Sequence, residues 1–159
     1  MLGRLFPKAF DNDYRGHWLG LVLFALAIAL RAAQGISTVV ATRMVATTAD
    51  GLSLDGYSPL QEAQVLSLFA VLGLYVVVIP FIGAISLIRY RAMVPFLYLM
   101  FLLTQLGVRA LHNFHPAFLA LDRGGNPSGF YVNLGLLAFT VLGFWLSLMY
   151  RPAIRTGER

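Results

Sequence analysis

The chain has 159 residues, 58% of them hydrophobic and only 12% charged, with a formal net charge of +5. Soluble domains average about 45–50% apolar and about 25% charged residues, so this composition excludes an ordinary soluble module and fits a single domain embedded in lipid. The absence of cysteine excludes disulfides, thiolate metal sites and Cys nucleophiles.

A helix needs roughly 20 apolar residues to cross a bilayer core about 30 Å thick. Four segments meet that length, at about residues 18–40, 65–88, 92–111 and 130–150. The expected fold class is all-α: a polytopic membrane protein, a four-transmembrane-helix bundle filling residues 1–159 as one integral membrane domain. The apolar run from Trp18 exceeds the ~7–15 residues of a signal-peptide core, so a retained span is expected. No lipidation signal is expected either.

The first helix meets no clear breaker before Asp50-Gly51, and Thr42 to Thr48 reads equally as a helical extension or as loop. Ser58-Pro59-Leu60-Gln61 marks the start of the second helix near residue 59: Ser58 as N-cap, Pro59 as the first helical residue, Gln61 reaching back as in a capping box. Pro80 falls inside that helix and should kink it. Arg89-Tyr90-Arg91 is a tight connection, and short connections join antiparallel neighbours, which places the second and third helices side by side. Pro95 sits where the first turn of the third helix tolerates it. His115-Pro116 opens a short interfacial turn reaching Leu121, and Gly124-Gly125-Asn126-Pro127 is a turn cluster before the fourth helix.

Basic residues set the orientation. Arg4, Lys8, Arg15, Arg89, Arg91, Arg151, Arg155 and Arg159 fall on one side of a four-pass chain. The other side has Arg43 and Arg123 against Asp50, Asp55, Glu62 and Asp122. The positive-inside rule makes both termini cytoplasmic. Trp18, Tyr90, Trp145 and Tyr150 on the inner side, with Tyr57 and Tyr131 on the outer, match aromatic belts. Topology thus accounts for the positive charge, and no nucleic-acid partner is expected. Eleven of the twelve basic residues are Arg, a bias expected of a GC-rich bacterial genome, which places the chain in a bacterial inner membrane.

Ionisable residues within a span cost about 2.5–3.5 kcal/mol at its centre and mark a partner or a site. Two arginines qualify. Arg31, Gln34 and Thr38 share a face of the first helix. Gln105, Arg109 and His112 share a face of the third. Both trios lie in the outer half, with depths differing by roughly 6 Å. They describe a cationic candidate site, open outward, for an anionic or lipid-like ligand. The structural alternatives are snorkelling of Arg109 and pairing of Arg31 with Asp50, Asp55, Asp122 or Glu62, or with Gln105.

His112, His115 and Asp122 form a weak candidate metal set, since no H-E-x-x-H is present. No cofactor is expected, and no catalytic motif appears. Ala25, Ala29 and Ala33, four apart, allow close approach of a neighbouring helix, either within the chain or in a homo-oligomer or larger membrane complex. The fourth helix, with Asn133 its main polar residue, reads as facing lipid or a partner. The leading functional expectation is a non-enzymatic accessory or interaction subunit. The alternative is a binder or carrier of a small anionic or lipid-like ligand around Arg31 and Arg109. An outer-face membrane enzyme comes third.

Overall fold

The computed structural model describes residues 2–7, 9, 11–115 and 128–149. Among them every regular element is helical, and four helices are long and apolar enough to cross a membrane: α1 (Trp18–Val40), α2 (Pro59–Arg89), α3 (Val94–Phe114) and α4 (Ser128–Leu148). This is the pattern of a multi-pass membrane protein. One end of the helices holds the start of α1 and the α2–α3 connection; we call it the near end, and the opposite one the far end.

Local chemistry sets the boundaries. His17 caps α1, its Nδ1 accepting from the Leu19 N–H at 3.2 Å. Helix α1 stops at Ala41, whose backbone leaves the helical region (φ −122°, ψ 44°). The chain then re-enters helix as a turn at Thr42–Met44 and a five-residue π-turn at Val45–Ala49. Segment 42–48 is therefore neither loop nor a straight extension of α1. Its threonines explain this, because Thr42, Thr47 and Thr48 bond back to carbonyls three or four residues earlier, a competition that loosens regular helix. Helix α2 starts at the anticipated capping box: the Ser58 N–H donates to Gln61 Oε1 at 2.9 Å, and the Gln61 N–H donates to Ser58 Oγ at 3.3 Å.

Packing departs from one expectation. Helices α2 and α3, joined by a short connection, scarcely touch. Instead α2 packs along α1, α1 also meets α4, and α4 carries α3. The reason lies in the small residues. Gly35 faces Gly73 so closely that a Cβ on Gly35 would come within 2.9 Å of the Gly73 carbonyl oxygen. A Cβ on Gly83 would come within 2.8 Å of Ile28. Association in lipid depends on close packing more than on apolar burial, so this glycine seam holds α2 to α1. The core gathers toward the near end around Phe24, Ile28, Val94, Leu97, Tyr98 and Phe101. There Phe24 meets Tyr98 edge-on at 5.0 Å.

Candidate functional site

Helix α4 organises the polar groups. Asn133, Leu136, Thr140, Gly143 and Ser147 recur at steps of three and four, which sets them on one seam. All but Asn133, which is half-buried, are buried. Toward the near end this seam meets the core. Tyr98 lies against Gly143 and donates from Oη to the Gly20 carbonyl at 2.8 Å. Ser147 lies beside Gly16, Gly20 and Tyr14.

Arg31 is thirteen residues beyond Trp18 and nine before Val40, roughly 20 and 14 Å along the axis of α1. It shares a stripe with Phe24, Ile28 and Gly35, the packing face of α1. Its Nη1 donates to Gln34 Oε1 at 3.2 Å and to Asn133 Oδ1 at 3.4 Å. Both partners are neutral carboxamides. The acids that the sequence offers as partners lie elsewhere: Glu62 pairs with Arg43 at 3.3 Å, Asp55 bonds Ser53, and Asp50 lies within range of the charge of His112. Asp122 is outside the described residues. Among the described residues, no carboxylate pairs with Arg31 or with Arg109.

Arg109 also turns to α4, its guanidinium lying over the Phe130 ring at 5.3 Å from the centroid, a cation–π contact. Phe130 and Asn133 are three residues apart, so the two arginines grip adjacent turns of α4. Gln105 contacts α4 further in. It is only 7% exposed, and its Nε2 donates to Thr140 Oγ1 at 3.1 Å. Its Oε1 is buried without a hydrogen-bond partner among the described residues. Thr38 donates to the Gln34 carbonyl at 2.9 Å, and the same side chain lies against Gly73, so it serves the α1–α2 seam.

The far end is crossed by residues 42–50. Arg43 ties this strap to α2 through Glu62. The Thr48 carbonyl accepts from Ser128 Oγ at 3.1 Å and ties it to α4. Asp50 lies close enough to His112 on α3 to feel its charge: loss of solvent raises the Asp50 carboxyl, and His112 draws it back down. Ala46 within the strap is fully buried. His112 Nδ1 is 2.8 Å from the Val108 carbonyl. Among the described residues no three metal-binding side chains cluster. The trio His112, His115 and Asp122 is not itself described, because Asp122 lies outside those residues.

The structure thus brings Arg31 and Gln34 together with Asn133, and Gln105 with Thr140. It adds Asn133, Thr140 and Phe130, which belong to a helix that the sequence casts as facing lipid or a partner. That helix does keep a bare face, an open groove of about 500 Å³ lined by Leu134, Leu137, Val141 and Trp145. A smaller cavity of about 270 Å³ lies at the near end beside Tyr14, Gly16, Ala92 and Ser147. Tyr14 Oη is buried there without a hydrogen-bond partner among the described residues, and burial pushes the Tyr14 hydroxyl up.

One side chain offers a sharp check. Leaving a buried acceptor unpaired costs about 1–3 kcal/mol. Gln105→Leu removes the unpaired Oε1, and Thr140 keeps its own bond to the Leu136 carbonyl at 2.6 Å. The variant should unfold in detergent at the wild-type temperature or above it. A loss of about 2 kcal/mol or more would mean that Oε1 is paired in the membrane.

The chain matches no protein-family model, no curated protein and no solved structure. Fold and site together define a helical multi-pass membrane protein with a cationic, amide-lined far half.

Proposed function

We propose that the chain is a non-catalytic membrane protein that holds an anionic group at Arg31 in the outer half of a four-helix bundle. One observation carries the reading: Arg31 lies on the packing face of a membrane-spanning helix, and among the described residues both of its hydrogen bonds go to neutral amide oxygens. An unpaired guanidinium in a span is costly, and a carboxylate or phosphate is the group that offsets it. Arg109 of α3, held over Phe130 on the adjacent turn of α4, supplies a second positive charge to the same region. The positive-inside rule, applied to Arg15, Arg89 and Arg91 at the near end, makes that end cytoplasmic and both termini with it. The far end then faces away from the cytoplasm, in a bacterial inner membrane.

The experiment is thermal unfolding in mild detergent with a panel of anions, comparing wild type with Arg31→Gln. An anion at a hundred times its Kd stabilises by about 2.7 kcal/mol. At least one anion should raise the wild-type midpoint and leave Arg31→Gln unmoved. Equal responses in the two proteins would refute the site.

A second reading, an accessory subunit of a larger membrane complex, is favoured by one feature. Ala29 and Ala33 are exposed and Ala25 is half-buried, so this small-residue face of α1 is not consumed by packing within the chain. A protein that co-purifies with wild type and is lost on Ala29→Leu would support it.

A further inference from the structure

We infer that the anion at Arg31 is the head group of an amphiphile, a phosphodiester or carboxylate carrying an acyl chain, admitted sideways between α2 and α3. The inference rests on the anion reading above and narrows it to a ligand class.

Three observations converge. The first is the chemistry of the cluster. The oxygens of Gln34 and Asn133 are used in accepting from Arg31 Nη1, while Arg31 Nε and Nη2, Gln34 Nε2 and Asn133 Nδ2 make no hydrogen bond among the described residues. Four nitrogen donors are thus unused, while each amide oxygen keeps one further lone pair. A positively charged cluster with more free donors than free acceptors favours an oxyanion with several lone pairs, and the free edge of a guanidinium suits the two-oxygen face of a carboxylate or phosphate.

The second is the path. The ties between α1 and α3 run through Gly20, Phe24, Tyr98 and Phe101 near the near end. Arg31 sits further out on the same stripe as Phe24 and Ile28. Beyond Gln105 no residue of α3 is buried, and Leu106, Val108 and Leu111 are exposed. Since α2 and α3 scarcely touch, the space between them beyond Gln105 is where the inference places the acyl chain.

The third is the strap. Residues 42–50 cross the far end, tied to α2 by Arg43–Glu62 and to α4 by Ser128–Thr48, with Ala46 fully buried. The strap lies on the far-end side of Arg31, between α2 and α4, whereas the lateral route is bordered by the apolar side chains of Leu106, Val108 and Leu111. A ligand that arrives by that route carries its own hydrocarbon, and its chain replaces lipid against α2 and α3 while its head reaches Arg31.

The test uses the full chain in a neutral detergent. Its midpoint of unfolding is measured with dioleoyl phosphatidylglycerol, with oleate, with dioleoyl phosphatidylcholine, and with glycerol 3-phosphate as the head group alone. The expected result is a rise with phosphatidylglycerol, oleate or both, and no rise with phosphatidylcholine or millimolar glycerol 3-phosphate. The rise should vanish in Arg31→Gln. Which of the two amphiphiles acts identifies a phospholipid or a fatty acid as the source. Stabilisation by glycerol 3-phosphate equal to that by the lipid would overturn the amphiphile and leave the anion site standing. Equal effects of phosphatidylcholine and phosphatidylglycerol would also overturn it. No response to any anion would remove both inferences together.

Discussion

Gly143→Leu should unfold in detergent on the order of 10 °C below wild type, whereas Gly135→Leu, two turns away on the same helix, should not fall at all. A Cβ on Gly143 would lie 2.8 Å from Tyr98 Cε1 and closer still to the ring's hydroxyl end. The phenol cannot swing aside, because Tyr98 is fully buried, packs edge-on against Phe24, and is fixed by its bond to the Gly20 carbonyl. Overpacking costs about 1–3 kcal/mol and occasionally more. Loss of an interhelical hydrogen bond in lipid adds about 0.6 kcal/mol. For a chain of this size each kcal/mol moves the midpoint by roughly 2–4 °C. Among the described residues Gly135 has nothing within 4 Å of its added Cβ, so a side chain there meets open space and gains helix propensity of about 0.5–1 kcal/mol. A Gly143→Leu protein as stable as wild type would mean that α3 and α4 do not meet at Tyr98.

Arg31→Leu should stay folded and, with no anion present, should match or exceed wild-type stability. The substitution removes a charge that costs about 2.5–3.5 kcal/mol within a span. It gives up two bonds to amide oxygens, at 3.2 and 3.4 Å, which in lipid return about 0.6 kcal/mol each. The balance favours leucine by about 1–2 kcal/mol. Adding the preferred anion should reverse the order, because only wild type gains the roughly 2.7 kcal/mol available at a hundredfold excess over Kd. A structural arginine behaves in the opposite way: its loss weakens the protein under every condition. Unfolding curves of the two proteins with and without anion separate these cases.

The four spans follow from hydropathy alone, because a 20-residue apolar run has few other uses. The start of α2 is equally plain, since Ser58, Pro59 and Gln61 each satisfy a distinct need of a helix terminus. The pairing of helices is harder to see. A short connection keeps two helix ends together but does not hold their lengths together, and the glycines at positions 35, 73 and 83 outweigh it. The polar half of α1 and α3 is visible as Arg31, Gln34, Gln105 and Arg109, because charged and amide residues are rare in spans. Their partners are not. Asn133, Thr140 and Ser147 are individually ordinary, and Thr and Ser side chains can satisfy themselves on their own helix, as Thr140 does on Leu136. The available signal is spacing: Asn133, Leu136, Thr140, Gly143 and Ser147 at steps of three and four trace the seam that α1 and α3 both address. The strap is hidden for a related reason. Thr42 to Ala49 has residues compatible with helix or loop, and the contacts to Glu62 and Ser128 that hold it are distant in sequence.

The most direct measurement is native mass spectrometry of wild type and Arg31→Leu released from vesicles of mixed phosphatidylglycerol, oleate and phosphatidylcholine. Anion binding at Arg31 predicts that wild type retains one anionic amphiphile more than the variant, with phosphatidylcholine equal in both. Identical sets of bound molecules on the two proteins would contradict it.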